Sequence, residues 1–133
     1  MTSPLSATIV LAARLYVAAV VVFAALPTRG ALEATVGDRQ GAVTLAAHFL
    51  EFVVLGVLVA TAGSRTRGPR EALVVAAVVG LAVALGTELL QWALPWRSFE
   101  VRDLAVDVLG LAAGLALVSL RRRAAPAAGA RRA

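Results

Sequence analysis

The chain has no cysteine and no lysine, a single histidine and a single tyrosine, and only 16% of its 133 residues are charged. Without cysteine there can be neither a disulfide framework nor a thiolate metal site, so any chemistry must rest on oxygen and imidazole groups. There is no HExxH, no P-loop and no nucleophile elbow, so metalloprotease, nucleotide and thiol chemistries lack support. What fills the chain instead is apolar: 60% hydrophobic residues and a mean hydropathy of +0.85, well beyond a soluble domain. The expected class is an integral membrane protein.

A pI near 11.5 would suit a nucleic-acid binder, but the 13 basic residues, all arginine, cluster between and after the apolar runs and not along a soluble face. Membrane topology accounts for them, and no nucleic-acid partner is expected. The first apolar run, "LSATIVLAARLYVAAVVVFAAL", is too long for a signal-peptide core and has no basic leader. It reads as a retained helix.

Four windows reach the roughly 20 residues that cross a hydrocarbon core. They are residues 5–26, 41–62, 71–94 and 101–120, which gives an all-α, polytopic four-helix bundle in one domain, residues 1–120, followed by a basic tail, 121–133, expected to be disordered. Pro27 and Pro95 end the first and third windows. Short cytoplasmic loops retain arginine. Arg65, Arg67 and Arg70 in the second loop and Arg121, Arg122, Arg123, Arg131 and Arg132 in the tail stand against Arg29, Arg39, Arg97 and Arg102, a bias of eight to four. Both termini are therefore expected to be cytoplasmic.

That topology puts six costly side chains in the outer half of the membrane. Glu88 lies six residues before Leu94, about 9 Å inward, with Gln91 one turn nearer the surface. His48 and Glu51 lie roughly 10 to 15 Å from the outer end of the second span, and Asp103 and Asp107 occupy the first turns of the fourth. His48 with Glu51 and Glu88 with Gln91 are i, i+3 pairs and Asp103 with Asp107 an i, i+4 pair, so each helix presents its polar groups on one face. Three such faces can converge on one outward-opening pocket. A carboxylate at a helix centre costs about 2.5 to 3.5 kcal/mol on insertion scales, which favours function where it is kept.

Structural roles stand beside the functional ones. Glu51, Glu88 and His48 can serve as interhelical hydrogen-bonding groups, and Asp103 can be an N-terminal charge favoured by the helix dipole. Arg97 is either an interfacial anchor or an arginine that binds an anionic headgroup or orders Glu88 or Asp103. Trp92, Trp96 and Phe99 read as an aromatic belt, and Arg14, near mid-span, either pairs with an acid of the pocket or snorkels. Gly110 and Gly114 form a small-xxx-small pair suited to close helix packing. A histidine among carboxylates can hold a divalent cation, shuttle protons or do acid/base work with His48 and Glu88 as candidates. The sequence leaves metal, cofactor and catalysis open.

In order, "HFLEF" (48–52), "ELLQ" (88–91), Arg97 and "DLAVDVLGLAAG" (103–114) resemble the VanZ-like family of small bacterial membrane proteins, named for an accessory glycopeptide-resistance protein. The resemblance covers about half the chain, from Ala47 to Gly114. It departs at two points: the family commonly has an Asp-Lys pair shortly before the histidine, whereas here Thr44 and Leu45 stand near it and the nearest acid-base pair, Asp38 and Arg39, is further upstream; and Asp107 stands where the family often has asparagine. The resemblance implies a multi-pass protein of the bacterial cytoplasmic membrane acting at the cell envelope, with members linked to teicoplanin susceptibility.

Three functions follow as expectations. The first is a pocket that binds or modifies a lipid or a lipid-linked cell-wall precursor, through His48, Glu51, Glu88, Gln91, Arg97, Asp103 and Asp107. The second is a proton- or ion-coupled transporter, which with only four spans requires a homo-oligomer. The third is a non-catalytic partner of an envelope enzyme, assembled through the Gly110 and Gly114 face.

Overall fold

A computed structural model describes residues 4–27, 34, 35 and 37–129. Four helices make up the fold: α1 (Pro4–Ala25), α2 (Gln40–Gly63), α3 (Pro69–Ala93) and α4 (Val101–Gly129). Among the described residues there is no strand. All four helices are long and apolar enough to cross a membrane, as Leu5–Ala25, Gly37–Gly63, Pro69–Ala93 and Val101–Ala124. In hydrocarbon a backbone must satisfy its own polar groups, and a helix does so within one segment. The all-α, four-span class expected from the sequence is the one observed, with span ends within a few residues. Arg29 and Glu33 of the first loop, and Arg131 and Arg132, lie outside the described residues.

The ends of the helices have local causes. A short 3₁₀ turn, Gly37–Arg39, leads into α2, and its glycine sits at φ +53°, a left-handed conformation that a side chain would disfavour. At the far end of α2 the Ser64 N–H and hydroxyl both donate to the Ala60 carbonyl, at 3.2 and 2.6 Å. Pro69 opens α3 at its first turn, where its missing N–H costs nothing. Leu94, held extended by the following Pro95, closes it. The Glu100 carbonyl accepts the N–H groups of Asp103 and Leu104 at 3.0 and 3.2 Å and starts α4.

α4 continues past Leu120 to Gly129, through a segment expected to be disordered. Alanine and arginine are strong helix formers, and the Arg122 side chain anchors the extension. Its guanidinium donates to the Pro69 carbonyl at 2.9 Å, the Ala60 carbonyl at 3.3 Å and the Ser64 hydroxyl.

α2 packs most extensively against α4, and the contact is made by backbone approaching backbone. A Cβ added at Gly110 would strike the Phe49 carbonyl oxygen, and one at Gly114 the Val53 carbonyl oxygen. From the α2 side, a Cβ at Gly56 would meet the Leu111 carbonyl oxygen at 3.1 Å. Such small-residue faces let membrane helices gain dispersion contacts that larger side chains prevent. Because α2 of the same chain covers this face, an assembly partner would have to dock elsewhere. Phe52, Leu55, Ala84 and Leu111 form the buried centre, with Tyr16 and Val17 of α1 packed beside it. Large apolar side chains such as Leu11, Leu15, Val74, Val78 and Leu109 point away from the protein, as a lipid-facing surface requires.

Candidate functional site

At the end of the bundle formed by the C-termini of α1 and α3 and the N-termini of α2 and α4 lies a cavity of about 520 Å³. The side made by α1 is apolar, from Val20, Phe23 and Ala24. The remaining wall is mixed: Val43 and Phe52 of α2 stand among the polar His48, Glu51, Gln91, Arg97, Arg102 and Asp103. Of the seven residues expected to build a pocket, five line this cavity, and Glu88 and Asp107 sit behind it as fully buried side chains.

His48 joins α2 to α4. Its Nδ1 lies 2.9 Å from Asp107 Oδ1, a hydrogen bond, and its Nε2 lies 3.7 Å from Asp103 Oδ2, beyond hydrogen-bond reach, so the i, i+4 pair on α4 flanks both edges of the ring and holds one. With Asp107 ionised, Nδ1–H donates to Oδ1 and Nε2 is the basic nitrogen facing Asp103. The ring is 17% exposed while Asp107 is sealed from solvent, so the pair has a buried half and an accessible half.

Glu88 joins α3 to the loop before α4. Its Oε2 accepts the Glu100 N–H at 2.9 Å, which fixes the chain just where α4 begins. The other oxygens of the two buried acids, Glu88 Oε1 and Asp107 Oδ2, have no hydrogen-bond partner among the described residues. Buried acceptors are nearly always satisfied, by protein or by ordered water. Glu51 is half-buried on the cavity wall, and its backbone carbonyl accepts the Tyr16 hydroxyl at 3.1 Å, which ties α1 to α2.

The two residues before Ser98 cap α1. Trp96 Nε1 donates to the Ala25 carbonyl at 3.1 Å and Arg97 Nε to the Ala24 carbonyl at 3.3 Å, so both serve carbonyls that a helix end leaves unpaired. Arg97 thereby holds α1 against the site as well as lining the cavity. Trp92 and Trp96 are otherwise exposed, at the end of α3 and in the turn that follows it. Arg14 is exposed on α1 and reaches none of the pocket acids. The pairing with a pocket acid, one of the two roles expected for it, is therefore not observed among the described residues.

Gln40, Thr44, Thr87, Glu100 and Arg102 also line the cavity, and none was singled out from the sequence as a site residue. A signal existed for three of them. Gln40, Thr44 and His48 follow one another at i, i+4 along one face of α2, and Thr87 stands at i, i+4 to Gln91. Thr87 spends its hydroxyl locally, on the Val83 and Ala84 carbonyls at 2.9 Å each. Glu100 and Arg102 gave no periodic signal, being placed by the turn between α3 and α4. Among the described residues, no group of three or more acids and histidines has the arrangement of a metal site.

The geometry defines a polytopic helical membrane protein with an amphipathic cavity at one end, braced by an imidazole and buried carboxylates. The VanZ/LLP1 family profile matches residues 10–122, and the chain belongs to that family. Neither the curated proteins nor the solved structures offer a match.

Proposed function

We propose that the cavity receives the polar head of a membrane lipid or lipid-linked cell-surface component, at the outer face of the bacterial cytoplasmic membrane. The observation that carries this reading is the division of one cavity into an apolar α1 side and a mixed wall bearing the polar Arg97, Arg102, His48 and Asp103. A headgroup joined to an acyl or prenyl chain needs both surfaces, whereas a free ion or a water-soluble metabolite needs only the second. The outward placement rests on the arginine bias, since Arg65, Arg67, Arg70 and Arg121 to Arg123 all lie at the opposite end. Through a cell-wall lipid of this kind, the protein would alter susceptibility to teicoplanin-type glycopeptides, in keeping with its family.

The His48 and Asp107 pair favours a second reading at the same place. An imidazole whose Nδ1 is held by a buried carboxylate and whose Nε2 faces the cavity is arranged to take or give a proton, so the bound headgroup would be modified and not only held.

The test is glycopeptide and lipoglycopeptide susceptibility in a Gram-positive host expressing the wild type, Glu88→Gln, His48→Ala or Asp103→Asn at matched membrane levels. A shift produced by the wild type and lost in the variants supports the reading. Equal susceptibility of all four strains, at equal expression, removes it.

A further inference from the structure

The opposite end of the bundle holds a second groove, between α2 and α4, of about 410 Å³. It is lined by the apolar Val57, Leu117 and Val118, by Thr61 and, further along the chain, by the polar Ser64, Arg65 and Arg121. Arg65 lies eight residues beyond Val57 and Arg121 four beyond Leu117, so charge and apolar lining are separated by roughly 6 to 12 Å along the helix axes. The apolar lining residues belong to membrane-spanning segments and Arg65 follows the end of its own.

The charge at this end has almost nothing to balance it. Arg65, Arg67, Arg70, Arg121, Arg122 and Arg123 face one acid, Glu71, which is already paired with Arg67 at 3.4 Å. Arg122 is committed to the Pro69 and Ala60 carbonyls and the Ser64 hydroxyl, which are neutral groups, so its charge persists. Arg65 and Arg121 are exposed, line the same groove and have no acidic partner among the described residues.

We infer that this groove is a binding site for an anionic phospholipid, whose phosphate sits between Arg65 and Arg121 and whose first acyl methylenes lie along Val57, Leu117 and Val118. The guanidinium fork matches a phosphate in geometry as well as charge. The apolar lining is what a free phosphate would not use, and basic pockets between transmembrane helices are suited to lipid headgroups. Because Arg122 ties the α4 extension to the ends of α2 and α3 beside the groove, a lipid seated there would also brace the α2–α4 interface. This site is separate from the cavity at the other end and does not depend on what that cavity binds.

The full chain is reconstituted in nanodiscs of phosphatidylcholine and phosphatidylglycerol in equal parts, and the lipid of each kind retained on release into the gas phase is counted by native mass spectrometry. At about 1 kcal/mol per arginine near an anionic headgroup, the Arg65→Gln/Arg121→Gln double variant binds phosphatidylglycerol roughly thirtyfold more weakly. Arg70→Gln/Arg123→Gln removes the same charge from the same end but not from the groove, and keeps wild-type retention. Leu117→Trp fills the apolar part with every charge intact and also loses the lipid. Unchanged helical circular dichroism and melting in phosphatidylcholine alone certify that each variant is folded. Equal loss in both arginine pairs, equal retention of phosphatidylcholine and phosphatidylglycerol by the wild type, or full displacement of the lipid by millimolar inorganic phosphate would each overturn the assignment.

Discussion

Replacing Gly110 by alanine tests whether the site depends on the close approach of α2 and α4. An added Cβ would sit 3.1 Å from the Phe49 carbonyl carbon and 3.2 Å from its Cα, and closer still to the oxygen. All three neighbours are backbone, so no rotamer change can relieve the contact and the two helices must part. Forced overpacking of this kind costs about 1 to 3 kcal/mol, and an obstacle made of backbone belongs near the upper figure. Gly86 supplies the control, since it lies within α3 and an added Cβ there meets nothing within 4 Å. Both substitutions gain the same helix propensity, about 0.5 to 1 kcal/mol, so the difference between them isolates the clash, at about 2 to 3 kcal/mol. Reversible unfolding in mixed micelles, followed by circular dichroism, should show Gly86→Ala at or above wild-type stability and Gly110→Ala well below it. Phe49 adjoins His48 in sequence, so the same separation draws His48 from Asp107 and should remove any susceptibility phenotype. If Gly110→Ala is as stable as Gly86→Ala, the α2–α4 packing described above is wrong.

Arg122→Ala should destabilise the bundle by about 2 kcal/mol, because it removes hydrogen bonds from one charged group to the Ala60 and Pro69 carbonyls and the Ser64 hydroxyl, and Arg122→Lys should recover only part of the loss in the same unfolding assay. Glu88→Gln keeps an acceptor for the Glu100 N–H and should fold normally, whereas Glu88→Ala strands that donor at a cost of about 1 to 3 kcal/mol, measurable as earlier unfolding. Trp96→Phe preserves the aromatic surface but loses the bond to Ala25, so a small loss, about 0.5 to 1 kcal/mol, is expected, with faster amide exchange at the end of α1.

The helices were legible because a bilayer imposes length and apolarity on every span, and the four apolar runs leave few alternatives. Polar convergence was legible for a related reason: in such a setting each carboxylate is costly, so His48, Glu51, Glu88, Asp103 and Asp107 stand out, and helical spacing assigns them to faces. What the sequence could not reveal is which face meets which. That depends on the depth to which α4 settles on α2, a quantity set by Gly110 and Gly114 against the Phe49 and Val53 carbonyls. The capping roles of Trp96 and Arg97 were hidden because their partners are backbone carbonyls of a helix some 70 residues earlier. The continuation of α4 was obscured by composition: a run of arginines and alanines resembles a solvated tail unless one arginine is tied to its neighbours, as Arg122 is.

The two ends of the bundle handle charge in opposite ways, and the contrast explains why the fold needs α2 at its centre. At the Arg97 end the acids are drawn into the protein: Asp107 is held by His48 of α2 and Glu88 by the Glu100 amide, so one oxygen of each is satisfied by a contact that also fixes the wall of a cavity. At the Arg122 end the charges are pushed outward, and among the described residues Arg122 alone turns back to tie α2, α3 and α4 through neutral acceptors. α2 takes part in both, through His48 near one end and Ala60 with Ser64 at the other, and between them its backbone lies against the glycines of α4. A disturbance of the α2–α4 seam therefore reaches the His48–Asp107 pair and the Arg122 tie together, although roughly 18 Å of helix separates His48 from Ala60. Single substitutions at either end should leave the other intact, whereas seam substitutions should impair both.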